Sequence, residues 1–509
     1  MKKNSRFLIF LSVCLLIVFN LSVFVYAANT EVNVNGIKYK SYADSYYAVS
    51  SASGFSYASE DDKSNPVVLE SEINGLPVTK IDSNAFSDTC KIVSLKVPSS
   101  VNTVSKEAFK NCVSLKKVVF DISNTTVKFL AGVFDGCENL IEVELPTKMS
   151  NTIGNNFFKN CSSLVSVTIP EGVTTIKINA FDNCTSLKSV SLPSTLETIS
   201  TEGVFNRCES LKNIILNGGT NFKIINSALY TYDGETLIAY PIGLNKKEYS
   251  VALGTKIIGF GAFAYSKLEK VTLPDGLETI GRYAFQSCES LSEINLPDSV
   301  KYISSDILDG RYMESYAFDN CSALKEITIP AGIISYRATF VGSGLEKVVF
   351  ADGTTEIQSN AFKDCKSLKE VYIPSTVTSI EKGYFENLDN LVIYCEDSSY
   401  AKQFASENGI EYEAHNEEPV IKNAKAATCT SKGYSGDTYC KVCGNKISSG
   451  VETSALGHNY SKLISSSNAT FFSNGSKVYQ CTRCTATKSE ITLSTFNRIL
   501  AWFRNIFSF

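Results

Sequence analysis

Six residues near the C-terminal end have side chains and spacings suited to metal binding or thiol chemistry: Cys429, Cys440, Cys443 and His458, followed by Cys481 and Cys484. The first four are spaced C-x10-C-x2-C-x14-H, a set of three thiolates and one imidazole that suits a tetrahedral zinc ion. They fall in two imperfect copies of one unit, ATCTSKGYSGDTYCKVCGNK from Ala427 and ATFFSNGSKVYQCTRCTATK from Ala469. The second copy has Phe471 where the first has Cys429, and no histidine follows its Cys pair. Pooling Cys440, Cys443, Cys481 and Cys484 is another route to four ligands, across a 37-residue gap wider than that of common zinc ribbons. Structural disulfides are the alternative in an exported chain, and a redox CxxC is a third, although no βαβ pattern surrounds either pair. Zinc at this place would be structural, because no open ligand position with a neighbouring general base can be read from the pattern.

Other chemistry is sparse. The chain has two histidines, His415 and His458. No nucleophile elbow, HExxH or phosphate-loop pattern occurs, so no catalytic residue is assigned and the chain is not expected to be an enzyme. With 509 residues, 44% hydrophobic and 20% charged, the composition is globular. The net charge is −4 and there is no basic block, which argues against a nucleic-acid partner. Lys2, Lys3 and Arg6 precede an apolar run from Phe7 to Val25 that ends in small residues. This reads as a signal peptide, residues 1–27, cleaved after Ala27; uncleaved, the run would be long enough to anchor the chain. The expected location is secreted or cell-surface.

The elements that carry these residues repeat. Motif phenylalanines stand at Phe86, Phe109, Phe134, Phe158, Phe181, Phe205, Phe263, Phe285, Phe318, Phe340, Phe362 and Phe385. Most steps are 22 to 25 residues, with exceptions of 58 and 33. Such a period marks a solenoid whose turns bury surface only against their neighbours. In LKSVSLP, Leu187, Val190 and Leu192 are expected to point inward while Ser189 and Ser191 face solvent, and Pro193 ends the strand. Cys112, Cys137, Cys161, Cys184, Cys208, Cys288, Cys321 and Cys365 each stand three after the motif Phe. Equivalent Cβ vectors in stacked turns run parallel and do not face each other, so these read as buried free thiols and not as disulfides. Phe263 and Phe340 lack the Cys and reach their strand leucines, Leu268 and Leu345, one residue earlier, which reads as a shortened turn.

The pattern A-F-x-x-C-x-x-L-x-x-[VI]-x-[LI]-P resembles the BspA-type leucine-rich repeats of bacterial surface proteins, over roughly residues 66 to 413. The resemblance implies a mainly β, or α/β, leucine-rich repeat solenoid of about twelve turns, exported or surface-displayed, with adhesion among the functions of such proteins. The two terminal copies resemble Cys-pair modules that trail exported proteins of anaerobic gram-positive bacteria, a likeness that carries no defined activity.

The expected organisation is an N-terminal cap at 28–80, the solenoid with a C-terminal cap helix at 81–413, a linker at 414–426, the Cys-pair module at 427–490 and an amphipathic helix at 491–509. Ser398 reads as the cap of the 399–408 helix, closed by Gly409. Asp233-Gly234 predicts a hairpin inside one enlarged turn, and the 304–315 insertion reads as a loop on one face, a binding loop or a plain spacer. Outward strand positions offer Glu142, Glu144, Lys270, Glu293, Glu326, Glu370 and Tyr372 as ligand-binding residues, with Tyr312 in the inserted loop. Their mixed polarity suits a host or cell-surface protein or glycan; a stiff spacer displaying the terminal module is the alternative. In the last stretch, residues 493–509, Phe496, Ile499, Leu500, Phe503, Ile506 and Phe507 share one face opposite Arg498 and Arg504. That pattern predicts either peripheral membrane contact or docking on the preceding module.

Overall fold

The computed structural model describes residues 30–507 except 43–44, 58–64, 89–90, 123–124, 201–202, 305–306, 309–310, 313, 335, 358–359, 382–384, 386–387, 389, 416–417 and 441–445. The signal-peptide segment and Cys443 therefore lie outside the described residues. The chain divides into two compact units, one ending at Glu413 and the other beginning at Ala414.

The first unit is a β-solenoid of about 14 turns, two more than the motif phenylalanines suggest. The extra turns come from the enlarged repeat and the ends, where the Ala-Phe phrase is absent. Each regular turn contributes a strand of two to four residues and, on another face, a two-residue strand. Ser166–Thr168, Ser189–Leu192 and Asn213–Leu216 pair in parallel with Val167, Val190 and Ile214 in register. On the other face Ile153, Ile176 and Ile199 stack in register. Alternation explains both: Leu187, Val190 and Leu192 are fully buried, and Ser189 and Ser191 are partly exposed.

The turn between the two strands is built around the motif Phe. From Phe86 to Phe205 and again from Phe263 to Phe362, consecutive rings stack at 4.7 to 5.5 Å with interplanar angles of 3° to 22°. In the enlarged turn Tyr240 takes the place of the missing Phe and stacks on Phe263 at 5.3 Å. Two left-handed residues bracket the motif Phe, for example Asn179 (φ 54°) and Asn183 (φ 62°) around Ala180-Phe181, or Gly132 (φ 64°) and Gly136 (φ 76°) around Val133-Phe134. Asn and Gly tolerate that conformation best, which is why AFDNC and AFKNC recur.

All eight motif cysteines are free and buried. From Cys137 onward each Sγ donates to the carbonyl of the Phe one turn earlier: Cys184 to Phe158 O at 3.1 Å, Cys208 to Phe181 O at 3.2 Å, Cys365 to Phe340 O at 2.9 Å. Two of the turns without this cysteine carry serine there. Ser266 and Ser343 occupy the same place, buried, and contact Cys288 and Cys365 of the following turns at 3.3 Å. Burial pushes the Cys288 and Cys365 thiols up to about 11 and raises Cys161, Cys184 and Cys321 well above their ordinary value. Because the thiolate is the reactive form, alkylation of the native chain is expected to spare these eight until the chain is denatured. Mass spectrometry checks this, and labelling of Cys184 before denaturation would contradict it.

The two departures from the period interrupt the broad strand face. At the first, Phe222–Ile225, Ala228–Thr231 and Thr236–Ala239 form an antiparallel meander, and the third strand pairs in parallel with Ile257–Ile258 to resume the solenoid. Gly234 (φ 83°) makes the turn, and Asp233 Oδ1 accepts from Thr231 Oγ1 and Glu235 N. At the second, Ile307–Leu308 pairs antiparallel with Arg311–Tyr312. The side chains of residues 307–312 lie outside the described residues, so Tyr312 has a strand position and no described contact.

At one end, strands Glu31–Val34, Ile37–Tyr42 and Tyr46–Ser51 form an antiparallel meander joined in parallel to Leu76–Ile81. At the other, helix α1 (Tyr400–Asn408) starts from Ser399, one residue later than the sequence suggests, with Ser399 Oγ accepting from Lys402 N. Gly409 (φ 68°) closes it, and strand Glu411–Ala414 follows.

The second unit holds two small antiparallel sheets of three strands. One contains Pro419–Lys422, Asp437–Cys440 and Lys446–Ser448, and the other Lys462–Ser467, Gly475–Gln480 and Thr487–Thr492. Helix α2 (Thr495–Phe507) comes last. Among the described residues no helix is long and apolar enough to cross a membrane. The buried apolar side chains of this unit are Cys429, Cys440 and Cys481; it has no aliphatic core among the described residues.

Candidate functional site

Four of the residues suited to metal binding come together. The ligand atoms of Cys429, His458, Cys481 and Cys484 all lie within 4.8 Å of one another. Cys429 Sγ is 3.6 Å from Cys481 Sγ, and Cys484 Sγ is 3.4 Å from His458 Nδ1. A tetrahedral zinc ion with ordinary Zn–S and Zn–N bonds spaces its ligands by roughly 3.5–3.8 Å. The donor set and the two closest separations fit that geometry.

This grouping differs from the set read along the sequence. Cys429 and His458 are members, but Cys440 is not. Its Sγ lies 3.7 Å from His415 Nε2 instead. The reason is topological. Leu456 N donates to Thr428 O, which brings the loop of the first copy beside the segment leading into the second. Cys429 thus completes a site whose other three ligands belong to the second Cys pair and the histidine before it. Starting the units at His415 and His458 exposes the signal: each Cys pair is preceded by His-Asn. Phe471 stands in the second copy where Cys429 stands in the first.

Arg483, between the two cysteines of the pair, organises the site. Its backbone N–H donates to Cys481 Sγ at 3.4 Å, and its guanidinium donates to the carbonyls of Leu456 and Gly457, fixing the residues before His458. The Arg483 N–H, followed by His458, holds the Cys481 thiol down to about 5, while burial and the facing sulfurs push Cys429 up to about 11. The described cysteines are free, with no disulfide among them.

On the solenoid, the charged binding candidates are exposed or half-exposed, and most of them form ion pairs across neighbouring strands. Lys117 Nζ lies 2.9 Å from Glu142 and 3.2 Å from Glu144. Lys270 pairs with Glu293, and Lys347 with Glu326 at 2.9 Å. Lys117 and Glu142, Lys270 and Glu293, and Lys347 and Glu326 sit directly opposite in the parallel register, whereas Glu144 lies diagonal to Lys117. Tyr372 is a correction: it is only 5% exposed, not a surface aromatic. Its ring stacks on Tyr394 of the next strand at 4.6 Å, Lys347 Nζ sits 5.1 Å from its centroid, and its hydroxyl donates to Glu370. Strand alternation places it outward, but its lateral neighbours cover it. Val349, also an outward position, is fully buried.

Beside the strand face runs a groove of about 460 Å³ that the sequence reading did not single out. Its walls are the residues on either side of each strand leucine. Asn139, Ser163, Ser186 and Ser210 recur five after the motif Phe, and Lys116, Ile141, Val165 and Lys188 follow the leucines. The recurrence of a small polar residue at that one register position was the available signal.

The family model described as "BspA type Leucine rich repeat region (6 copies)" matches residues 70–177, 151–251, 256–311 and 308–401. Among solved structures, the chain is similar to the pneumococcal vaccine antigen PcpA, with TM-score 0.63 and 23% identity over 76% of this chain and 99% of that one. It is also similar to a leucine-rich cell surface protein from Faecalibacterium prausnitzii, with TM-score 0.50 and 22% identity over 76% and 99% of the two chains. At these identities the likeness shows the fold. No curated protein matches.

Proposed function

From the premise that the chain belongs to the BspA-type leucine-rich repeat family, we propose that it is an exported cell-surface protein that binds a protein or glycan ligand through its solenoid. The observation that carries this reading is the strand face with its adjoining groove. The face presents exposed ion pairs of low net worth, which a ligand can replace at little cost. The groove presents hydroxyls, an amide and two lysines over apolar walls, the mixture that polar ligands need for orientation and contact. A charged and apolar N-terminus of signal-peptide type supports export. One structural neighbour is a vaccine antigen and another a cell surface protein, which fits display outside the cell.

The test is a binding screen of the mature chain against host matrix proteins and cell-wall glycans, repeated with Ser163→Arg/Ser186→Arg, which fills the groove. Binding is expected to fall about tenfold or more if these positions lie at the energetic centre of the interface. Binding that survives this change and Lys117→Ala, yet is lost when Cys481→Ser disrupts the C-terminal unit, would make the solenoid a spacer.

For the second unit, we infer that Cys429, His458, Cys481 and Cys484 hold a structural zinc ion. Zinc supplies there a closed, non-redox cross-link between the two copies. The chain's own contribution is to orient His458 through Arg483 and to present Cys481 as a thiolate.

A further inference from the structure

Among the described residues, the hydrogen bonds that join helix α2 to the second unit lie at its start. Ser494 Oγ accepts from Asn497 N at 3.1 Å, and Asn474 Oδ1 accepts from Ser494 N and Asn497 Nδ2. Phe496 N donates to Phe471 O at 2.9 Å. Past that first turn Ile499, Leu500, Trp502, Phe503 and Ile506 are 43% to 60% exposed. The apolar face continues onto the neighbouring loop, where Phe472 is 75% exposed with its ring 5.8 Å from that of Phe496. A lone 13-residue helix is marginal in water, and a contiguous apolar patch of this kind marks a contact surface.

The charges say what would cover it. Residues 491–507 contain no Asp or Glu, and their only charged groups are Arg498 and Arg504. At 100° per residue, Arg504 borders the apolar face on one side and Trp502 borders it on the other. A cation and an indole at the margins of an apolar stripe suit the headgroup level of a bilayer. The helix is about 20 Å long, too short for a hydrocarbon core of about 30 Å, so it would lie in the surface plane. We propose that α2, with Phe471 and Phe472, binds the surface of an anionic phospholipid bilayer, with the apolar face buried among the acyl chains and both arginines at the phosphates.

Trp502 is the one tryptophan of the chain, so its fluorescence reports this contact alone. The test titrates the mature full-length protein with vesicles of phosphatidylcholine containing phosphatidylglycerol, and with phosphatidylcholine alone. The expected results are a blue shift and co-sedimentation with the anionic vesicles, weakened by added salt. The double change Arg498→Ala/Arg504→Ala should lower apparent affinity about thirtyfold, at the usual value of a juxtamembrane basic residue, and Leu500→Asp should abolish the shift. Absence of a shift at millimolar anionic lipid would overturn the proposal. So would a blue-shifted tryptophan in lipid-free protein that sediments as a dimer and is dispersed by Leu500→Asp, because the face would then belong to a second copy.

Discussion

Removing zinc from the C-terminal unit is expected to unfold it while leaving the solenoid intact. Among its described residues this unit buries no aliphatic or aromatic side chain, and its buried apolar groups are Cys429, Cys440 and Cys481. A segment of fewer than 100 residues without a core needs another source of stability. Structural zinc in small domains supplies about 10–16 kcal/mol of apparent binding free energy at neutral pH, which appears as folding free energy. A chelator such as EDTA should therefore open residues from Ala414 onward to protease, with fragments ending near Glu413 surviving. Cys481→Ser and Cys429→Ser should give the same pattern and lose the metal, whereas Cys440→Ser should keep one zinc per chain. The last comparison separates the assembled site from the ligand set that runs in order along the sequence. A metal-free protein bridged between Cys429 and Cys481, or a protease pattern unchanged by chelator, would show that sulfur–sulfur bonding or the sheets themselves hold the unit.

The sequence reading succeeds where a side chain's surroundings are set by its own repeat. Phe181 and Cys184 are buried because every turn places them at the same point of the same coil, and twelve phenylalanines display that register in one dimension. It falls short where the surroundings come from a neighbour. Ser266 and Ser343 look like gaps in the cysteine pattern, although each fills the cysteine's place with a smaller donor. Tyr372 follows strand alternation and points outward, but Tyr394 on the next strand lies flat against it. The metal cluster fails to appear in order because its fourth ligand crosses from one copy to the next, a contact set by the hydrogen bond between Leu456 and Thr428. The Ser and Asn residues of the groove were visible as a periodic column. Only the stacking of turns, which aligns Asn139 with Ser163, Ser186 and Ser210, turns that column into a surface.

Replacing Phe181 with Ala is expected to destabilise the solenoid by about 3–5 kcal/mol, the range for removing a fully buried aromatic ring. The ring is wholly buried and stacks between Phe158 at 5.5 Å and Phe205 at 5.3 Å, so both neighbours lose a face contact together. The left-handed residues on either side, Asn179 and Asn183, hold the turn in shape and limit collapse into the cavity. Because each turn couples directly only to the next, the loss should be local. Hydrogen exchange should accelerate in the turns around Phe158, Phe181 and Phe205 and remain slow from Phe285 to Phe362. Cys184→Ser provides the contrast. Phe158 O already accepts from Cys161 N at 3.1 Å, so the Cys184 thiol adds a second, weaker bond, and serine already serves at Ser266 and Ser343. That variant should lose less than about 1.5 kcal/mol, the usual net contribution of one hydrogen bond. Denaturant unfolding of both variants measures the difference. Equal losses would mean that the thiol ladder, and not the phenylalanine stack, joins one turn to the next.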